Sequence, residues 1–420
     1  MKKILISLLI ISRSFSLDLN QAIEKALTKN PELLSYKQQI TTAQLKLKVD
    51  ENLYLPVFFG TVSQRVYSET PLTNIPSLPV SFKQSNRSFT AINIGLNQTL
   101  YNFGQTETAI KISKNNIQAL SYLYQEKESQ LKGEVIKAYI DILIASAMVD
   151  VYKKELEAIE GLYRQAEGFF NEGLITKVDL LQTKVRLMEV YRSKTEVEGN
   201  QKVAISRLSQ LIGEDAQDRE FHKVNIKVQD IESLDSLMKK ALENRKIIKF
   251  YQLNLQQSDL EQRMYSREFF PKLFLQGEYI YTNQNPYLDP KSNFLLTIGA
   301  TVNFQGTMPY YKTLQARSNT AKLKFEMEDI RNRIILEVKT AYQNYLTAKE
   351  NYRVSLESLE YAKEYFELVK EQYANQLATN TDLLNAESSL TKALESKEIN
   401  YYNLLKSYVE IKKTAGEELP

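Results

Sequence analysis

Residues 173–184 read GLITKVDLLQTK, and residues 376–387 read QLATNTDLLNAE, 203 positions further on. A Leu, a Thr and an Asp-Leu-Leu triplet recur in the same register. Each copy has a local logic. Thr176 and Thr379 are good helix N-caps, because a threonine oxygen can accept a hydrogen bond from an amide of the first turn. Asp179 and Asp382 then fall at N3, where a carboxylate suits the helix dipole. Gly173, just upstream, supplies a cap for the preceding turn. The phrase predicts a helix-to-helix turn, written twice.

The duplication extends well beyond this phrase. EVIKAYIDILIA begins at Glu134 and EVKTAYQNYLTA at Glu337, again 203 apart. Earlier in each half the offset is 215: KALTKN at Lys25 matches KALENR at Lys240, Tyr36 matches Tyr251, and Pro56 matches Pro271. The lost residues belong to the turn-rich stretch between these blocks. Residues 17–225 and 233–420 are therefore read as two copies of one unit, with 226–232 as the linker and His222 as a solvated histidine close to it.

Each copy has the same internal order. A helical segment (19–54, then 233–269) runs up to Pro56 or Pro271, since proline lacks the amide a helix needs. Two strands follow, at about 57–68 and 88–100 in the first copy and about 273–283 and 293–304 in the second. A very long helix comes next, roughly 105–172 and 310–375, and the repeated phrase opens a third helix, roughly 176–212 and 379–413. Ile334, Val338, Ala341, Tyr345, Ala348 and Tyr352 alternate spacings of four and three; shifted by 203 they become Leu131, Val135, Ala138, Ile142, Ala145 and Val149. That heptad stripe predicts helices packed side by side at a shallow angle. At 1.5 Å per residue, a helix of ~65 residues reaches about 100 Å.

Composition narrows the chemistry. The chain has 420 residues, 43% hydrophobic and 25% charged, with no cysteine and a single histidine. Disulfides, thiolate metal sites, cysteine nucleophiles and any site needing two imidazoles are excluded. With no glycine-rich phosphate loop either, the only recurrent catalytic candidate is the pair Asp179 and Asp382. The expectation is a protein that is not an enzyme and uses no cofactor or metal.

The N-terminus reads as an export signal over residues 1–16, with basic Lys2 and Lys3, an apolar run from Ile4 to Ile11, and Ser14-Phe15-Ser16 as a small-x-small cleavage site. Its removal leaves 51 basic against 51 acidic side chains, a neutrality that speaks against nucleic acid as a partner. No later stretch is long and apolar enough for a transmembrane helix. The strands, by contrast, alternate: Phe294, Leu296, Ile298, Ala300, Val302 and Phe304 against Asn293, Thr297, Gly299, Thr301 and Asn303; Ile92, Ile94, Leu96 and Leu100 against Asn93, Gly95, Asn97 and Thr99. Strands of ~10 residues with one apolar and one polar face fit a transmembrane β-barrel around a wet lumen. Four strands cannot close a barrel, and open edges in lipid are costly. A trimer would supply twelve.

With these elements in order, the chain resembles the TolC-like outer-membrane efflux protein family across essentially all of the mature sequence. The resemblance is carried by LDLNQAIEKALTKNPEL, the proline before each hairpin, LNQTLYNFG at the end of the second strand, and the duplicated phrase. It implies a mainly α fold with a small membrane β portion: a homotrimer whose 12-stranded β-barrel in the outer membrane continues as a long α-helical barrel into the periplasm. It implies the passive exit duct of a tripartite efflux or type I secretion system, opened at its periplasmic tip through a periplasmic adaptor (membrane fusion) protein and an inner-membrane pump. In such proteins the repeated phrase marks that tip. Asp179 and Asp382 match the family's acidic tip positions, Tyr373 a tip aromatic that holds the closed state, and Gln182 and Asn385 lie on the same constriction. Ala378 stands where relatives carry a basic residue and Asn385 where some carry a second carboxylate, so the resemblance implies a weaker latch at the tip and leaves the presence of an ionic link open. The competing reading is a soluble periplasmic coiled-coil adaptor or chaperone, which shares the heptads but needs no paired alternating strands.

Overall fold

The computed structural model describes residues 16–74, 76, 79–302 and 306–419. Most of the expected signal segment, together with Asn303 and Phe304 of the fourth strand, lies outside the described residues.

The first repeat runs α1 (Leu19–Lys29), α2 (Pro31–Glu51), β1 (Val57–Val66), β2 (Leu72–Asn74), β3 (Ser81–Lys83), β4 (Ser88–Tyr101), α3 (Gln105–Asn171) and α4 (Lys177–Ile212). The second runs α5 (Leu234–Asn244), α6 (Lys246–Ser266), β5 (Lys272–Thr282), β6 (Ser292–Thr301), α7 (Met308–Ala374) and α8 (Asn380–Thr414). Both long helices, α3 and α7, contain 67 residues. Among the described residues no helix is long and apolar enough to cross a membrane.

Two expectations are corrected here. The opening helical segment of each copy is two helices, not one. In the first copy the break is at Asn30, whose side chain accepts from the Leu33 amide at 3.1 Å and donates to the Leu211 carbonyl at 3.1 Å, with Pro31 pre-set for the first helical position. In the second copy the break is at Arg245 without any proline. There the guanidinium is pulled to Glu126 (2.6 Å) and Glu337 (2.8 Å). The turn-rich stretch after the first strand also contributes β2, a strand not expected there, which pairs with β3 in a small separate sheet.

By contact, the chain divides into two units, each drawn from both repeats. The first comprises residues up to Lys37, Tyr122–Ile248 and from Asp329 onward. Its core is the expected heptad stripe: Leu131, Val135, Ala138, Ile142 and Ala145 are buried on α3, and Ile334, Val338, Ala341 and Tyr345 on α7, joined by Leu405, Tyr408 and Val409 of α8. Tyr139 is fully buried. Its hydroxyl donates to the Leu17 carbonyl (2.9 Å) and accepts from the His222 amide (3.0 Å), and burial pushes its pKa up to about 12. His222 contributes its backbone there, while the residue itself is exposed.

The second unit comprises Gln38–Ser121 and Lys249–Glu328. It holds a four-stranded antiparallel sheet in the order β1-β4-β5-β6. The register aligns the apolar positions of all four strands. Phe58 lies opposite Leu96, Val62 opposite Ile92, Ile94 opposite Tyr279, Tyr279 opposite Phe294, and Leu275 opposite Ile298. Directly opposed residues share a face, so the middle of one face is an apolar band across all four strands, with Gln64, Thr90 and Ser292 toward one end and Gln98 toward the other. The band is bare: Phe294, Leu296 and Ile298 are 81%, 71% and 74% exposed. The other face carries Thr61, Ser63, Asn93, Asn97, Gln276, Glu278, Thr297 and Thr301, and there Asn93 donates to Glu278 at 2.9 Å. Each hairpin of this polar face also sets a phenylalanine over a glycine. A Cβ on Gly95 would stand 2.8 Å from the Phe59 ring, and one on Gly299 2.8 Å from the Phe274 ring. Larger residues would displace the aromatics, so glycine is required at both places.

Candidate functional site

The two copies of the repeated phrase form two turns with the same hydrogen bonds. At the end of α3, the Gly173 amide donates to Phe170 O (3.0 Å) and the Leu174 amide to Phe169 O (2.8 Å). At the end of α7, the Gln376 amide donates to Tyr373 O (3.0 Å) and the Leu377 amide to Gln372 O (2.8 Å). Both are Schellman closures, which need a left-handed residue; φ is +75° at Gly173 and +61° at Gln376. The next helix then starts on a reciprocal cap. The Asp179 amide donates to Thr176 Oγ1 (3.2 Å), while the Thr176 amide and hydroxyl donate to Asp179 Oδ2 (3.0 and 2.7 Å). Thr379 and Asp382 repeat this at 3.1, 2.9 and 2.6 Å. The bonds from Thr379 hold the Asp382 carboxyl below its ordinary pKa.

Around these matched backbones the side chains differ. Tyr373 is buried among Val369, Leu383 and Ala386, with Leu162, Phe169, Phe366 and Ala378 packed against them; its ring centre lies 6.2 Å from that of Phe169. Burial, then the Asp179 charge, raises its pKa. A cavity between the turns is lined by Phe169, Leu174, Asp179, Tyr373, Ala378 and Asn380, among others. Gln182 reaches the second repeat, accepting from the Thr381 hydroxyl at 3.4 Å. Asn385 is exposed, with its carbonyl accepting from Ser389 at 2.8 Å. Asp179 and Asp382 are each engaged as caps of their own helix. Among the described residues no group of His, Cys, Asp or Glu side chains is disposed to hold a metal.

Two features escape a reading of the sequence. Buried Asn380, the first residue of α8, donates to the Asp179 carbonyl (3.1 Å) and accepts from Thr183 (3.2 Å), tying the second turn to the first helix after the first turn. Further along, Arg186 of α4 reaches both Glu155 of α3 and Glu387 of α8, its Nη2 lying 3.1 Å from Glu387 Oε2. An ionic link is thus present near the turns, although Ala378 is not part of it. The available signal was a charge at helical spacing from apolar residues outside the named stripe: Glu155 stands seven residues after Met148 and four before Ile159, and Glu387 stands four after Leu383, all three of these apolar residues being buried.

A family model described as outer membrane efflux protein matches residues 22–214 and 237–417. Several solved structures share the fold. The Campylobacter jejuni CmeC outer membrane channel is 19% identical with a TM-score of 0.80, covering 95% of this chain and 85% of that one. The Vibrio cholerae outer membrane protein VceC is 13% identical with a TM-score of 0.78, covering 96% and 97%. The Neisseria gonorrhoeae MtrE outer membrane channel, in its open state, is 15% identical with a TM-score of 0.74, covering 95% and 89%. No curated protein matches in sequence.

Proposed function

The chain belongs to the outer membrane efflux protein family, a family of outer-membrane channels, and from that premise we propose that it is the passive exit duct of a tripartite efflux or type I secretion system, assembled as a homotrimer. The observation that carries this reading is the sheet. Its apolar face is continuous across four strands, and β1 and β6 have no outer partner strand among the described residues. Such edges are tolerable in lipid only when other strands cover them. Three copies bring twelve strands and close the barrel, with the polar face turned to a wet lumen.

The helices support the same assembly. Within one chain, α3 runs antiparallel to α8, with Lys137 paired to Glu410 and Asp141 to Lys406. Carrying that register through the 203-residue repeat sets α7 of one copy against α4 of the next. To within one residue it brings Tyr361, Tyr365 and Leu368 opposite Val185, Leu181 and Val178. All six are exposed in the single chain, at matching spacings of four and three. A head-to-tail contact of this kind closes into a ring. The repeated turns then form the periplasmic mouth, where Asp179, Asp382, Gln182 and Asn385 line the constriction and Tyr373 holds it shut until a periplasmic adaptor and an inner-membrane pump engage.

The test is charge placement. Arg at Leu296 or Ile298 is expected to cost about 2–4 kcal/mol of barrel stability near the bilayer midplane, measured by unfolding from detergent or lipid, whereas Arg at Thr297 or Thr301 is tolerated. Equal tolerance on both faces, or a water-soluble monomer after signal removal, would favour a periplasmic adaptor or chaperone instead.

A further inference from the structure

Arg186 has two buried carboxylates and one positive charge to share between them. Its Nη2 donates to Glu155 Oε1 (2.5 Å) and Glu387 Oε2 (3.1 Å), and its Nε to Glu387 Oε2 (3.3 Å). Glu387 Oε1 accepts from the Thr391 hydroxyl at 3.2 Å. Glu155 Oε2, in a side chain only 2% exposed, is buried and has no hydrogen-bond partner among the described residues. A buried charge left unbalanced is expensive, and an acceptor without a donor adds to the cost. A proton on Glu155 removes the excess charge. The second repeat offers no counterpart: Ser358, Ser389 and Lys184 stand at the positions related to Glu155, Arg186 and Glu387 by the 203-residue shift.

We propose that Glu155, Arg186 and Glu387 form a proton-controlled clasp that binds α8 of the second repeat to α3 and α4 of the first, and that releases the second turn when Glu155 loses its proton. This rests on the duct reading, in which separation of the two turns widens the mouth. A cavity beside Glu155, bordered by Ala158, Leu390 and Leu394, gives the departing proton a route to water.

The surrounding charges set the direction. Burial, followed by the neighbouring Glu387 charge, pushes Glu155 up to about 7 from an ordinary 4.5. Arg186 opposes that rise and Glu395 of α8 adds to it. On α3, Tyr152 is paired to Glu395, while Asp150 and Lys154 line the same cavity. Glu189 of α4 lies 3.7 Å from Arg186. Glu398 and Tyr402 of α8 and Lys223 of the connecting segment also line the cavity. A carboxyl raised above its unfolded value contributes stability that is full below about 4.5 and lost as pH rises through about 7. The clasp therefore holds in acid and loosens toward neutral and mildly alkaline pH.

The chain has no cysteine, so nitroxides at Lys184→Cys and Ser389→Cys report the α4–α8 separation in the assembled protein by pulsed EPR, with spin dilution isolating pairs within one chain. The separated population is expected to rise about ten- to a hundredfold between pH 5.5 and 8. Glu155→Gln, which mimics the protonated acid, should remain closed throughout. Glu387→Gln, which leaves one carboxylate for one guanidinium, should flatten the profile as well. A flat wild-type profile, or one unchanged in Glu155→Gln, overturns the clasp. The same preparations in planar bilayers address the duct separately: absence of conductance at every pH refutes the duct reading, while the label distances still decide the clasp.

Discussion

In the turn between α3 and α4 the left-handed position is Gly173, Phe170 is 37% exposed, and exposed Lys177 opens the next helix. In the turn between α7 and α8 those places hold Gln376, Tyr373 at 8% exposure, and buried Asn380. The backbone hydrogen bonds are nevertheless the same in both. Closure and capping need only a few local groups, so many sequences satisfy them. What a turn packs against depends on the rest of the chain. Duplication supplied two equivalent frames, and the side chains made one of them the partner that is held.

The largest test of this inequality removes the held aromatic. Tyr373→Ala is expected to cost about 3 kcal/mol locally, as truncation of a buried ring does, and Phe170→Ala about 1 kcal/mol or less. Hydrogen exchange at the Leu377 and Leu174 amides, which close the two turns, measures each cost separately. Equal losses would make the turns energetically interchangeable despite their different burial.

A smaller difference is expected at the first residue of each following helix. Asn380→Ala removes the amide that bridges Thr183 and the Asp179 carbonyl, which keep their own bond at 3.1 Å, and should cost about 1 kcal/mol. Lys177→Ala should stay within about 0.5 kcal/mol. Urea titration of the local unfolding step compares them, and a silent Asn380→Ala would show that the turns are not coupled through this amide.

At the caps the copies should agree. Thr176→Ala and Thr379→Ala are each expected to cost about 1 kcal/mol, read from the exchange rates of the Asp179 and Asp382 amides. Acid adds a signature to the second cap. Because the Asp382 carboxyl is held below its ordinary 3.8, its contribution is present above that pH and is lost as pH falls through the lowered value. Asp382→Asn should abolish this acid step.

The features readable from sequence are the local ones. A stripe with spacings of four and three places the core of α3 and α7, prolines mark the hairpins, and a threonine three residues before an aspartate marks a cap; all of these act within a turn or two of chain. Period-two alternation sorts the faces within one strand but says nothing of register between strands. That Tyr279 lies between Ile94 and Phe294 is decided by the register of its own hairpin with β6 and by the pairing of β5 with β4 across the repeats. The break at Arg245 escaped because its cause is Glu126 and Glu337, about a hundred residues away on either side. Asn380 with Thr183, and Arg186 with Glu387, escaped for the same reason. Their importance comes from packing one repeat on the other, and the repeat itself hides them, since the matching positions carry different residues.

The finest distinction between the turns is the left-handed residue itself, and it can be isolated. A Cβ built on Gly173 meets no atom within 4 Å, so Gly173→Gln introduces backbone strain without a clash. A left-handed non-glycine residue costs roughly 1–2 kcal/mol, while replacing glycine recovers about 0.5–1 kcal/mol from the unfolded chain. The net expected loss is about 0.5–1 kcal/mol. Gln376→Gly reverses both contributions and should stabilise the second turn by a similar amount. Exchange at Leu174 and Leu377 reads the two changes independently, and the double exchange should leave their sum near zero, because backbone strain at each site is local. A stabilisation at Gln376→Gly much smaller than the loss at Gly173→Gln would mean that the Gln376 side chain makes contacts that offset its own strain. The second turn would then be held by one more group than Tyr373 and Asn380, and the inequality between the copies would reach down to the residue that closes the helix.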